Sequence, residues 1–203
     1  MAKKTNRINR GNLDDFRIGF WDLESSGLAA TFGGLFCGTI KQLGKEYQPV
    51  TFRIDESPGY KTKPWDDAWI CKRIRDELET YQVVVGYNSI GWGGHGFDLP
   101  FLNSRLVRHK QRILSSEVKH VDLYMLVRNK MRLHSSRLEA LLEHLKARTR
   151  KTPLKPEDWR LAAAGDRKAL DRIVAHNIPD VVALEEAFLR LIPFLDVQFR
   201  VIR

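Results

Sequence analysis

Trp21-Asp22-Leu23-Glu24 sets two carboxylates two residues apart at the end of an alternating, strand-forming run from Phe16 to Asp22. A strand turns alternate residues to one face, so Asp22 and Glu24 stand side by side. Two acids at an apolar strand end are costly unless cations compensate them. Magnesium and manganese take hard oxygen ligands, and such a pair suits either ion. Taken alone, a two-acid motif is more often the start of a solvent-facing loop. A third acid, Asp98, stands in Phe97-Asp98-Leu99-Pro100-Phe101-Leu102, where capping a helix is sufficient reason for a carboxylate. In His176-Asn177-Ile178-Pro179-Asp180 an imidazole precedes a fourth acid by four residues. Pro179 suits the first turn of a helix, which gives Asp180 a structural rationale as a first-turn acid.

These residues need elements to hold them. The first strand is followed by a turn at Thr31–Gly34, a second strand from 35 to 40, a turn at Gly44-Lys45 and a third strand from Tyr47 to Ile54. The connections are too short for crossovers, so this meander is antiparallel. A helix is expected over Trp65–Tyr81, capped by Asp66 or Asp67, with Trp69, Ile70, Ile74 and Leu78 at helical spacing. Val83-Val84-Val85-Gly86-Tyr87 reads as a central strand covered on both faces. Next come the glycine-rich Gly91–Gly96 loop, a helix over about 99–110 and a short strand over 119–123. Helices follow at about 123–131, 135–146, 155–164, 166–176 and 179–191, with Phe194–Arg203 as an extended tail. The whole is one α/β domain with a mixed sheet. Residues 1–14 form a flexible basic tail and 15–203 a single domain.

Composition bounds the function. With 203 residues, 43% hydrophobic and 29% charged, the chain is an ordinary globular one. It has no apolar run long enough to span a membrane and no secretory signal, so a cytoplasmic location is expected. Cys37 and Cys71 lack metal-binding spacing and read as small buried hydrophobes. A net charge of +9 is compatible with nucleic acid, through counterion release from phosphates, and does not by itself require it.

The order of the motifs is more specific than any one of them. Asp-x-Glu on a first strand, Phe-Asp-x-Pro-Phe opening a helix and His-x-x-x-Asp on a late helix resemble the DnaQ-like exonucleases. These are the histidine-bearing DEDD branch of the ribonuclease H-like fold. The resemblance covers roughly residues 16–190 and extends through His120-Val121-Asp122-Leu123-Tyr124 and Gly165-Asp166-Arg167-Lys168. It is closest to poorly characterised ribonuclease H-like exonuclease domains. With the meander, it implies about five strands in the order 3-2-1-4-5, the second antiparallel, with helices on both faces.

For mechanism, the resemblance implies that Asp22, Glu24, Asp98 and Asp180 ligate two divalent ions, Mg²⁺ or Mn²⁺, about 3.5–4 Å apart. It makes His176 the general base and the reaction 3′–5′ removal of nucleotides from single-stranded ends, with DNA favoured and RNA possible. Ser25, Gly27 and Leu28 correspond to the segment that touches the terminal nucleotide, and Asn88 belongs with the substrate-binding set. Recruitment by replication, repair or RNA-processing proteins would follow. Two departures stand out: the Gly91–Gly96 loop lengthens the element between Asn88 and Asp98, and Pro179 lies inside the third motif. Basic residues Arg105, Arg108, His109, Lys110 and Arg112 are nearest to Asp98 in sequence and read as a solvated helix face. The competing readings are a catalytically silent nucleic-acid-binding or scaffold domain on the same fold, and an RNA-trimming or structure-specific nuclease.

Overall fold

Val83-Val84-Val85-Gly86 offers no polar side chain to water, and all four residues are buried as strand β4. In the computed structural model, which describes residues 8, 11–90, 96–149 and 154–195, β4 lies inside a five-stranded sheet of order β3-β2-β1-β4-β5. The other strands are β1 (Ile18–Ser25), β2 (Leu35–Gln42), β3 (Val50–Arg53) and β5 (Lys119–Asp122). β2 is antiparallel to both β1 and β3, while β1, β4 and β5 run parallel. The order and the antiparallel second strand are those expected.

Helices cover both faces: α1 (Ala68–Leu78), α2 (Asp98–Arg108), α3 (Leu123–Lys130), α4 (Leu138–His144), α5 (Pro156–Ala163) and α6 (Arg167–Leu191). Phe20, Val83, Val85 and Val121 pack with Val127, Leu141, Leu184 and Phe188 of α3, α4 and α6. Trp21, Leu23 and Val84 face the other way, against Ile70 and Ile74 of α1 and Leu102 of α2. Alternate residues of β1 and β4 thus serve two separate cores, which is why β4 has no polar face. α1 sits so close to the sheet that a Cβ on Gly38 would lie 2.5 Å from Ile74 Cδ1. Cys37 and Cys71 are buried free thiols, as expected.

Several boundaries differ from the sequence reading. β1 runs on to Ser25, because β2 continues to pair with it through Asp22, Leu23 and Glu24. The third strand is only four residues long, and Tyr47 lies outside it. The largest correction concerns Pro179. Two helices were expected, with Pro179 opening the second; instead Pro179 sits inside the continuous 25-residue α6. Proline removes one rung, the bond to the carbonyl of Ala175, and Ala175 is exposed, so water can take that carbonyl. Packing of the apolar stripe Ile173, Val181, Leu184 and Phe188 carries the helix through.

Within the stretch read as a basic tail, Ile8 is buried in a core and Leu13–Asp15 form a 3-10 turn. Residues 1–7 and 9–10, the 91–95 part of the glycine-rich loop with Trp92 and His95, and the expected extended tail from 196 lie outside the described residues. Among the described residues no helix is long and apolar enough to cross a membrane.

His120 on β5 pairs with Val84, and burial pushes its imidazole pKa down to about 4. An unfolded histidine titrates near 6.5, so the unfolded chain takes a proton that the folded chain refuses. Stability is therefore lost as pH falls from about 6.5 toward 4. Between pH 7.5 and pH 5, His120→Leu should lose about 2 kcal/mol less unfolding free energy than wild type in urea titrations. Equal losses in the two proteins would show that His120 is not the group responsible.

Candidate active site

β1 pairs with β4 only from Ile18 to Phe20, whereas its pairing with β2 runs on to Ser25. The end of β1 therefore projects past β4 and leaves a notch at the C-terminal edge of the parallel strands. In open α/β sheets this edge is where ligands bind. Asp22 and Glu24 continue the Phe20 side of β1 and so face α5 and α6.

α6 meets them directly. Asn177 Nδ2 donates to Asp22 Oδ2 at 2.6 Å. His176, half-buried, places Nε2 3.9 Å from Oδ2 of Asp180, one turn further along the helix and buried. From α5, Trp159 Nε1 donates to Glu24 Oε2 at 3.1 Å. On the neighbouring strand Cys37 pairs with Glu24, and burial, then the negative charges of Glu24 and Asp22, push its thiol pKa up.

Asp98 begins α2 and is 3% exposed. Burial, and then the negative charge of Asp122, push its carboxyl pKa well above the ordinary range. Glu24 adds to this, and a hydrogen bond from the Leu23 backbone opposes it. Asp122, at the end of β5, accepts from the backbone N–H groups of Asn88 at 2.8 Å, Ile90 at 3.0 Å and Tyr124 at 3.0 Å. It shapes the turn after β4, in which Asn88 takes a left-handed backbone at φ 58°. The Asn88 carbonyl accepts Phe97 N–H at 2.7 Å, so Asn88 helps to position Asp98 through its backbone.

After Glu24 the chain turns back on itself. Ser25 Oγ donates to the Gly27 carbonyl at 2.8 Å, while Leu28 is 88% exposed. Asp67 at the start of α1 makes no capping bond of its own; Asp66 Oδ1 accepts Ala68 N–H instead. Arg105 and His109, read as part of a solvated face, turn inward onto the buried Asp67 at 2.6 Å each. Burial would raise the Asp67 pKa, but bonds from Arg105, Leu35 N–H and His109 hold it below the ordinary carboxylate range.

Sequence reasoning thus missed Asp122, Asn177, Trp159 and the Arg105–Asp67–His109 cluster. Asn177 had a signal, its place between His176 and Asp180. Trp159 had none, being 135 residues from its partner.

Among the described residues no three His, Cys, Asp or Glu side chains converge as they stand into a group that could hold a metal ion. In kind, however, the donors fit a hard divalent cation: four carboxylates, one of them disfavoured as an anion by burial and by its neighbours. His176 Nδ1 and Asn177 Oδ1 are also buried without a hydrogen-bond partner among the described residues, which leaves polar capacity beside Asp22 and Asp180.

The family model described as the RNase_H superfamily matches residues 19–191. Among solved structures, the chain is similar to the family B DNA polymerase from the hyperthermophilic archaeon Pyrobaculum calidifontis, with a TM-score of 0.65 at 20% identity. That likeness covers 91% of this chain and 26% of the polymerase, and at this identity it speaks for the fold alone. No curated protein matches the sequence significantly. The family match starts within the first strand and ends with α6, so it takes in the sheet and every acid of the notch, and the chain belongs to the RNase_H superfamily.

Proposed function

We propose that the chain is a metal-dependent 3′–5′ exonuclease of the DnaQ-like, histidine-bearing kind, acting on single-stranded nucleic acid ends, with DNA the favoured polymer. Membership of the superfamily supports nuclease chemistry in general. The observation that carries the finer reading is the meeting of α6 with the acidic end of β1, through Asn177 on Asp22 and His176 beside Asp180.

Asp22, Glu24, Asp98 and Asp180 would hold two divalent ions, Mg²⁺ or Mn²⁺, which when bound neutralise charge at the phosphodiester and acidify water. A carboxylate offers about four lone-pair positions, so an N–H bond from Asn177 or Trp159 and a metal ligand are compatible on one group. His176 accepts the proton of the attacking water, whose oxygen bonds to phosphorus as the bond to the 3′ oxygen breaks. A nucleoside 5′-monophosphate leaves, and the strand keeps a 3′ hydroxyl. Asn177 orients Asp22, and Trp159 orients Glu24. Ser25, Gly27 and Leu28 line the approach to the terminal nucleotide.

The N–H bonds on Asp22 and Glu24 favour one second reading, a domain that binds nucleic acid without cutting it.

With 5′-labelled single-stranded DNA and RNA and Mg²⁺, the expected product is a ladder shortening from the 3′ end. EDTA and Asp22→Ala should each abolish it, and His176→Ala should lower kcat by about 10²–10⁴-fold. Binding without cleavage would select the silent domain, and internal cuts would sink the exonuclease reading. Metal should also act without substrate. At a hundred times its Kd, Mg²⁺ should raise unfolding free energy by about 2.7 kcal/mol. Asp98→Asn should fold more stably than wild type in EDTA and gain less from Mg²⁺. A wild-type melting temperature indifferent to Mg²⁺ and Mn²⁺ would count against the proposed ligands.

A further inference from the structure

Between β1 and β2 the chain leaves large apolar side chains in water. Phe32 is 93% exposed in a turn that any small polar residue would close as well. It lines a cleft of about 180 Å³ together with Trp65, itself 52% exposed, and the exposed Arg108. Ser26 and Gly34 form part of the wall, and Arg105 is the buried residue beneath.

The frame of this cleft is held before any ligand arrives. Arg105 bonds both oxygens of Asp67, at 2.9 and 2.6 Å, and donates to the Ala30 carbonyl at 2.9 Å. Asp67 also accepts Leu35 N–H at 2.9 Å. Across the neck of the loop, Ser26 N–H donates to the Gly34 carbonyl and Gly34 N–H to Ser26 Oγ, each at 2.9 Å. Aromatic rings on a fixed frame lose little freedom when they bind.

We propose that this cleft is a nucleotide subsite, where one base of a single strand stacks on Phe32 and Trp65 and Arg108 meets an adjoining phosphate; this rests on the exonuclease reading above. Three observations choose a nucleobase as the occupant. Ser26 lines the cleft and lies two residues beyond Glu24, so the cleft continues from the acidic end of β1. Arg108 and the net charge of +9 favour a polyanion. The volume is below the roughly 300–1,000 Å³ of most small-molecule pockets, which suits one flat ring system. Every base has a π face, so the subsite adds affinity without choosing sequence.

The test is binding of a short 5′-fluorescein oligothymidylate in EDTA, paired with steady-state cleavage in Mg²⁺. Phe32→Ala and Trp65→Ala should each weaken Kd by about tenfold and raise KM, with kcat near wild type and melting temperature unchanged. Trp65→Phe should keep the affinity but lose the part of the fluorescence quenching that comes from stacking on its indole. Tyr47→Ala, an exposed aromatic between β2 and β3 at the other end of β2, should bind like wild type. If both alanine variants bind within about twofold of a wild type that cuts single strands, the subsite falls and the nuclease stands. Binding through Phe32 and Trp65 with no cleavage would keep the subsite and sink the exonuclease. A wild type that neither binds nor cuts would remove both.

Discussion

Two carboxylates on one face of a central strand repel each other and lose much of their water. Around Asp22 and Glu24 the structure is arranged to meet that cost. Asn177 of α6 and Trp159 of α5 bring N–H donors to them. β1 stays regular through both acids because β2 pairs with it on one edge. On its other edge β4 stops short, and the resulting notch admits the first turn of α2 with Asp98. Had β4 paired along the whole of β1, the Leu23 amide would be committed to the ladder and Asp98 would lose a donor.

Much of this was legible from residue order. The meander, the apolar β4 and the three acidic motifs each carry a local signal, and together they led to the strand order and the acids on β1, α2 and α6. What stayed hidden was set by tertiary contact. Pro179 reads as a helix start because proline is disfavoured inside helices, yet the apolar stripe of α6 against the sheet outweighs one lost rung. Arg105 and His109 read as solvated because nothing nearby in sequence announces Asp67, a buried acid 38 and 42 residues away. Asp122 passed as the end of a strand, although its carboxylate organises the turn that delivers Asp98.

α2 links the two parts of the surface that matter. Its first residue is Asp98, and Arg105 follows about 10 Å along the axis at 1.5 Å per residue. One rigid helix therefore spaces the acidic notch from the aromatic cleft, and the buried Asp67 clasp sets its rotation. A change in that clasp would be felt at the notch as a tilt of Asp98, with no residue of the notch altered.

The bond from Asn177 to Asp22 closes a loop of 155 residues, and that from Trp159 to Glu24 one of 135. Contacts so distant in the chain form late, since loop closure must come before they contribute. During synthesis the N-terminal part emerges first, and Asp22 and Glu24 leave the ribosome long before the helices that hold them. Until α6 is complete the nascent chain has an acidic strand with no imidazole beside it. Asp22 and Glu24 therefore gain their helical partners only after α5 and α6 have formed.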